Sequence, residues 1–203
     1  EAWLGEAHQA LEEAKSQQGP KNGPWRFWLK KGESASLTFL DGMLTEHGVF
    51  DTPMFYEHEL AIGNKWGNFI VCPQENPGLE GACPACVSDK KPYLIQLFTV
   101  IDHREIQGKK GVYKDTVKLY AAKRTTLAML VGYAKKRGGL AGWRVDVSRT
   151  TEDMSPKVGD IFDFGDKFDL KEIAAQSTET VQYVPIDYGQ IIKPPTAEDF
   201  TAV

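Results

Sequence analysis

The chain has 203 residues, of which 41% are hydrophobic and 26% charged, and its formal net charge is −4. That composition excludes a disordered chain, a collagen and a disulfide mini-protein, and no apolar run is long enough to span a bilayer. The charge is uneven: residues 92–150 carry 12 Lys/Arg against 4 Asp/Glu, and residues 151–203 carry 4 against 11. A basic middle followed by an acidic end suits a polyanion binder with a competing or partner-docking tail. It equally suits a basic sheet face balanced by acidic loops.

In residues 2–17, Trp3, Ala7, Ala10, Leu11 and Ala14 recur at helical spacing and predict a short amphipathic helix. Gly19-Pro20-Lys21-Asn22-Gly23-Pro24 ends it. Strands are expected at 25–30 and 35–40, joined through Lys31-Gly32-Glu33, then at 54–60 and 68–72. Residues 93–103 read as a long apolar strand, with 112–122 as its hairpin partner. Residues 124–137 give the clearest helix, with basic residues in the last turn and Gly138-Gly139 as its stop. Strands follow at 143–149 and 160–164. Parallel βαβ units are absent, which disfavours a dinucleotide-binding enzyme. Several strands, one helix and two more strands predict a mainly β (α+β) chain. The best match is a five-stranded OB-fold barrel, with a small β-sandwich as the alternative. The expected division is an N-terminal helical arm (1–24), an OB-fold core (25–165) with an insertion at about 54–92, and an acidic C-terminal segment (166–203).

The three cysteines, Cys72, Cys83 and Cys86, cannot all pair within one chain. Cys83-Pro84-Ala85-Cys86 is a C-x-x-C knuckle, because Pro84 fixes φ and the small Ala85 permits a tight turn. With Cys72 and His58 upstream, the set is H-x13-C-x10-C-x2-C, enough for a closed tetrahedral site holding one structural Zn²⁺. His58 is preferred over His47 as the fourth ligand because it falls on a strand. A redox C-x-x-C would want a helix after the second cysteine, but Val87-Ser88-Asp89-Lys90-Lys91-Pro92 is a poor one. A zinc deaminase would place a Glu two residues after the His and a Pro before the knuckle; here Glu59 comes one residue early and Ala82 precedes Cys83. Three unrelated thiols are the remaining alternative.

Period-2 alternation sorts two strands into faces. On 25–30, Trp25, Phe27 and Leu29 are assigned inward, and Arg26, Trp28 and Lys30 outward. On 112–122, Val117, Leu119 and Ala121 are assigned inward, and Lys114, Thr116, Lys118 and Tyr120 outward. Each outward set mixes cations with an aromatic ring, the chemistry of single-strand binding, in which cations track phosphates and rings stack on bases. The same residues could also be an aromatic rim and a solvated lysine face. Trp66, in Asn64-Lys65-Trp66-Gly67, is a further stacking candidate.

Arg26-Phe27-Trp28-Leu29-Lys30, Gly32-Glu33-Ser34 and Thr38-Phe39-Leu40-Asp41, followed by His58, Cys72 and Cys83-Pro84-Ala85-Cys86, resemble the phage single-stranded-DNA-binding proteins typified by the T-even helix-destabilising protein. The resemblance spans about residues 25–165. It implies an OB-fold with a zinc subdomain and non-enzymatic, sequence-independent binding of single-stranded DNA in replication, recombination and repair. It also implies self-association along DNA, recruitment of replication proteins by the acidic C-terminal segment, and a location in the cytoplasm of the infected bacterial host; no secretion signal is visible. The alternative is a zinc-ribbon module that docks to protein in a phage replication or transcription complex.

Overall fold

The computed structural model describes residues 25–62, 65–79, 81–108 and 111–200. The predicted helix within 1–24 lies outside them. The chain is mainly β, with nine strands and three α-helices among the described residues: β1 (Ser34–Phe39), β2 (Met54–Ile62), β3 (Lys65–Val71), α1 (Pro84–Val87), β4 (Tyr93–Asp102), β5 (Ile106–Gly108), β6 (Gly111–Tyr113), β7 (Thr116–Lys123), α2 (Arg124–Arg137), β8 (Trp143–Ser148), β9 (Ile161–Lys167) and α3 (Leu170–Ala174).

Seven strands form one antiparallel sheet, ordered β3-β2-β4-β1-β8-β9, with β7 also paired to β4. The long apolar β4 organises it. Ile95 to Asp102 pair with Lys123 to Thr116 of β7, while Tyr93–Gln96 pair with β2 and Val100–Asp102 with β1. A strand so enclosed must be apolar on both faces, and Ile95, Leu97, Phe98 and Val100 are fully buried. The expected β4–β7 hairpin carries a separate two-stranded ribbon, β5–β6, at its turn.

Residues 25–29 do not form the predicted strand. They make a single parallel bridge, Arg26 to Leu119, and then reach the loop before β9, where Leu29 N–H donates to Lys157 O at 2.7 Å. No sheet closes on itself among the described residues. The central core gathers Phe27, Leu37, Phe39, Phe98, Tyr120 and Val145, and is covered by Leu130 and Ala134 of α2. Gly138 ends α2 in the left-handed region (φ 74°), its N–H returning to Ala134 O, a conformation costly to residues with a Cβ.

The acidic C-terminal segment contributes a strap to the fold. Ile186, Tyr188, Ile191 and Ile192 pack over Phe55, Ile95, Leu97 and Leu119, on the opposite side of the sheet from the central core. Tyr188 O–H donates to Asp41 Oδ2 at 2.6 Å, and Asp41 Oδ1 accepts from Thr99 N–H at 2.9 Å. Burial raises the Asp41 carboxyl to about 6 against these two bonds. Farther on, Phe200 packs against the small cluster that holds the cysteines. No helix among the described residues is long and apolar enough to cross a membrane.

Candidate metal centre and candidate nucleic-acid interface

The cysteine-bearing region is built on the β2–β3 hairpin. His58 stands opposite Ile70, which fixes the direction of its ring. β3 runs directly into Cys72, whose N–H donates to Tyr56 O at 2.9 Å. Asn76 then fastens the loop after Cys72 back onto β2. Its amide donates to Tyr56 O and to Cys72 O, both at 2.7 Å, and its carbonyl accepts from Tyr56 N–H at 2.8 Å. Asn76 is a supporting residue that sequence reasoning missed; an Asn four residues after a ligand is a weak signal. Cys83 precedes the one-turn helix α1, with Pro84 at its first position, and Lys90 N–H returns to Ala85 O at 2.9 Å. This turn brings Cys86 back beside Cys83.

His58, Cys72, Cys83 and Cys86 offer four ligand atoms that all lie within 4.8 Å of one another. Cys72 Sγ is 3.7 Å from Cys86 Sγ, and His58 Nε2 is 3.3 Å from Cys83 Sγ and 3.6 Å from Cys86 Sγ. A tetrahedral cage with metal–sulfur bonds of about 2.3 Å has edges of about 3.8 Å, so the spacing fits a single ion at the centre. Burial, and then the adjacent sulfurs, push the Cys86 thiol up to about 12. Three thiolates this close need a central cation to ionise together. Burial likewise lowers the His58 pKa, with the Lys90 backbone and Glu57 opposing it, which keeps the ring neutral as a ligand must be. The four residues could therefore hold one metal ion, compatible with a single structural zinc. His47 is not among them: it is exposed beside Glu46.

The predicted nucleic-acid face is not assembled as expected. Tyr120 is fully buried in the central core, stacked 5.7 Å from Phe27, and its hydroxyl donates to Val158 O at 2.8 Å. It cannot stack on a base. Lys118 is also buried, with Nζ 2.8 Å from Asp102 Oδ2. Burial alone would raise Asp102, but hydrogen bonds from Arg104 and Lys118 win and hold it below the usual carboxylate range. Arg26 is clamped by Glu57 through bonds of 2.7 and 2.5 Å, with its guanidinium 3.6 Å from the Phe69 ring centre. A cation already paired to a buried carboxylate has little to offer a phosphate. Tyr120 and Lys118 share one cause: both faces of β7 are covered, so alternation along it does not separate inside from outside, whereas Arg26 is taken up by Glu57 and Phe69 of the neighbouring hairpin.

Trp28 is 53% exposed and Lys30 and Lys114 are exposed, as assigned. Trp25, assigned inward with Phe27 and Leu29, is instead 69% exposed, although its backbone carbonyl accepts from Leu119 N–H at 3.0 Å. Trp66 lies on β3, and its side chain is outside the described residues. The buried partners Glu57 and Asp102 were the residues missed; a carboxylate ending a long apolar strand is the signal for Asp102. Compared with known proteins, the chain matches no family model, no curated protein and no solved structure.

Proposed function

We propose that this chain is a non-enzymatic, sequence-independent single-stranded-DNA-binding protein of phage type, serving DNA replication, recombination and repair, with an OB-fold core and one structural Zn²⁺. The observation that carries the proposal is the segment Trp25–Lys31. It presents two solvent-facing indoles, Trp25 and Trp28, together with the exposed cations Lys30 and Lys31. Among the described residues the two lysines pair only with solvent-accessible carboxylates, Glu33 and Asp153, which a phosphate can replace, so the stretch offers stacking platforms followed by phosphate partners. Arg104 adds to it, donating from Nη2 to Trp28 O at 3.2 Å.

The OB-fold reading is supported by strand order. β1, β4 and β7 follow one another as a meander, α2 intervenes, and β8 returns to pair with β1 before β9 pairs with β8. Segment 25–29 lies across the gap between β7 and the loop before β9. Zinc is favoured because three soft thiolates and one imidazole at tetrahedral spacing suit it best. All four positions would be filled by protein, which leaves none for a catalytic water and supports a structural role. Self-association along DNA and recruitment of replication proteins by the acidic C-terminal residues belong to the same proposal.

The test is fluorescence anisotropy with labelled oligo-dT, oligo-U and duplex DNA at 50 and 500 mM NaCl. Binding to dT should exceed duplex binding and weaken with salt, at a log–log slope of about −0.7 per phosphate contacted. Absence of any oligo-dT binding would overturn it. The protein-docking reading would then stand, with Val87, 81% exposed beside the knuckle, as its first contact.

A further inference from the structure

Two concavities open on the outer side of β1 and β8, and His103 and Arg144 border both. The first holds about 270 Å³. Ile101 and Ile173 form its buried floor, while Phe168, Tyr183 and Gln176 stand around it. That volume lies below the roughly 300–1,000 Å³ of drug-sized sites and suits one flat ring. An apolar floor, two aromatic rings and a primary amide are what an unstacked nucleobase needs: faces to lie against and an edge partner.

The second concavity, of about 460 Å³, runs along the strands past Ser34, Ser36 and Ser148 to Arg104. Its basic side chains are not equivalent. Arg104 is tied to Asp102, at 2.7 Å from Nη2 to Oδ2. His103 is held by both ring nitrogens, with Nδ1 2.6 Å from Asp115 Oδ1 and Nε2 2.8 Å from Thr38 Oγ1. Thr38 is a buried mid-strand residue, so this relay fixes the imidazole as a rigid wall and offers no accessible nucleophile. Arg144 is exposed, donates from Nε to Ser36 Oγ at 2.9 Å, and has no carboxylate within ion-pair distance among the described residues. Its terminal nitrogens remain as a fork for a phosphate. Asp146 borders the groove and Asp115 the pocket, where its carboxylate is engaged by His103, which leaves Arg144, at the mouth of the ring-sized pocket, as the anion position.

The groove reaches the exposed indole segment, because Arg104 lines it and also donates to Trp28 O. We propose that the groove along β1 and β8 is the path of the single strand beyond Trp28, and that it ends in a pocket taking one flipped-out base at Phe168 and Tyr183 with the adjoining phosphate on Arg144. This inference rests on the single-strand-binding reading.

The test compares the full chain with Arg144→Gln, Arg144→Lys and Phe168→Ala, each first checked for an unchanged thermal melt, in oligo-dT titrations across salt. Arg144→Gln should weaken binding about tenfold and reduce the salt slope by about 0.7, the contribution of one phosphate. Arg144→Lys should keep the slope. Phe168→Ala should weaken binding about tenfold with the slope unchanged, as loss of one stacked base requires. If the unmodified chain binds oligo-dT and all three variants match it, the groove is not on the path and the wider reading survives. If the unmodified chain does not bind, both fall together.

Discussion

The hairpin that carries the cysteines and the body of the sheet are held together by different physics. Among the described residues the body buries seventeen in its central cluster, including six aromatic rings and Leu130 from α2. Among the same residues the cysteine region buries five, two of them cysteines and one an alanine. A core that small offsets little of the entropy of ordering the loops around it, and the proposed metal would supply the difference. The contrast teaches that one chain can combine a body built on a large apolar core with a subdomain built around a four-residue set that could hold a metal ion.

Removing the metal breaks that contrast most sharply. Chelation, or Cys83→Ser, should cost the cysteine region on the order of 10 kcal/mol of apparent stability. The body should still melt cooperatively. Native mass spectrometry would read one zinc lost, and hydrogen exchange would read protection lost in 54–92 and kept in β4, β7 and β8. Within the body, Tyr120→Ala should cost about 3–5 kcal/mol in urea denaturation, because it opens a cavity and leaves Val158 O without its donor. Trp28→Ala, at an exposed position, should leave that stability within about 0.5 kcal/mol. Glu57→Gln, which removes the buried partner of Arg26, should destabilise by about 3 kcal/mol by the same measurement.

The ligand set was legible in the sequence because it is a local code: a few residue types at short spacings, with a proline that sets the turn. The strand positions followed from apolar runs and turn residues except at 25–30, and α2 matches the predicted 124–137. Orientation on β7 was not legible. Leu119 meets the strap, and Tyr120 meets the central core. Two buried faces leave alternation nothing to distinguish, and the strap comes from residues 186–192, far along the chain. Nor could local pattern show that Arg26 and Lys118 are neutralised, since Glu57 lies 31 residues from Arg26 and Asp102 lies 16 from Lys118.

A smaller effect concerns the strap. The Asp41 carboxyl is raised from 3.8 to about 6, so between those values the folded chain binds more protons than the unfolded one. Its contribution to stability is complete below about pH 4 and is lost as pH rises through 6, up to about 3 kcal/mol. Urea denaturation of the parent and Asp41→Asn chains at pH 4, 5, 6 and 7 should show a difference that changes across this window. A constant difference would mean that the carboxyl is already ionised when the strap is docked.

Intrinsic tryptophan fluorescence during titration with oligo-dT tests the central claim most directly, because the indoles proposed to stack are the reporters. Exposed Trp25 and Trp28 should be quenched on binding. Trp28→Ala should lose much of the quench and about 1–3 kcal/mol of binding free energy while its melt stays unchanged. An emission unaltered by saturating oligo-dT, or a Trp28→Ala chain that binds as tightly as the parent, would contradict the account.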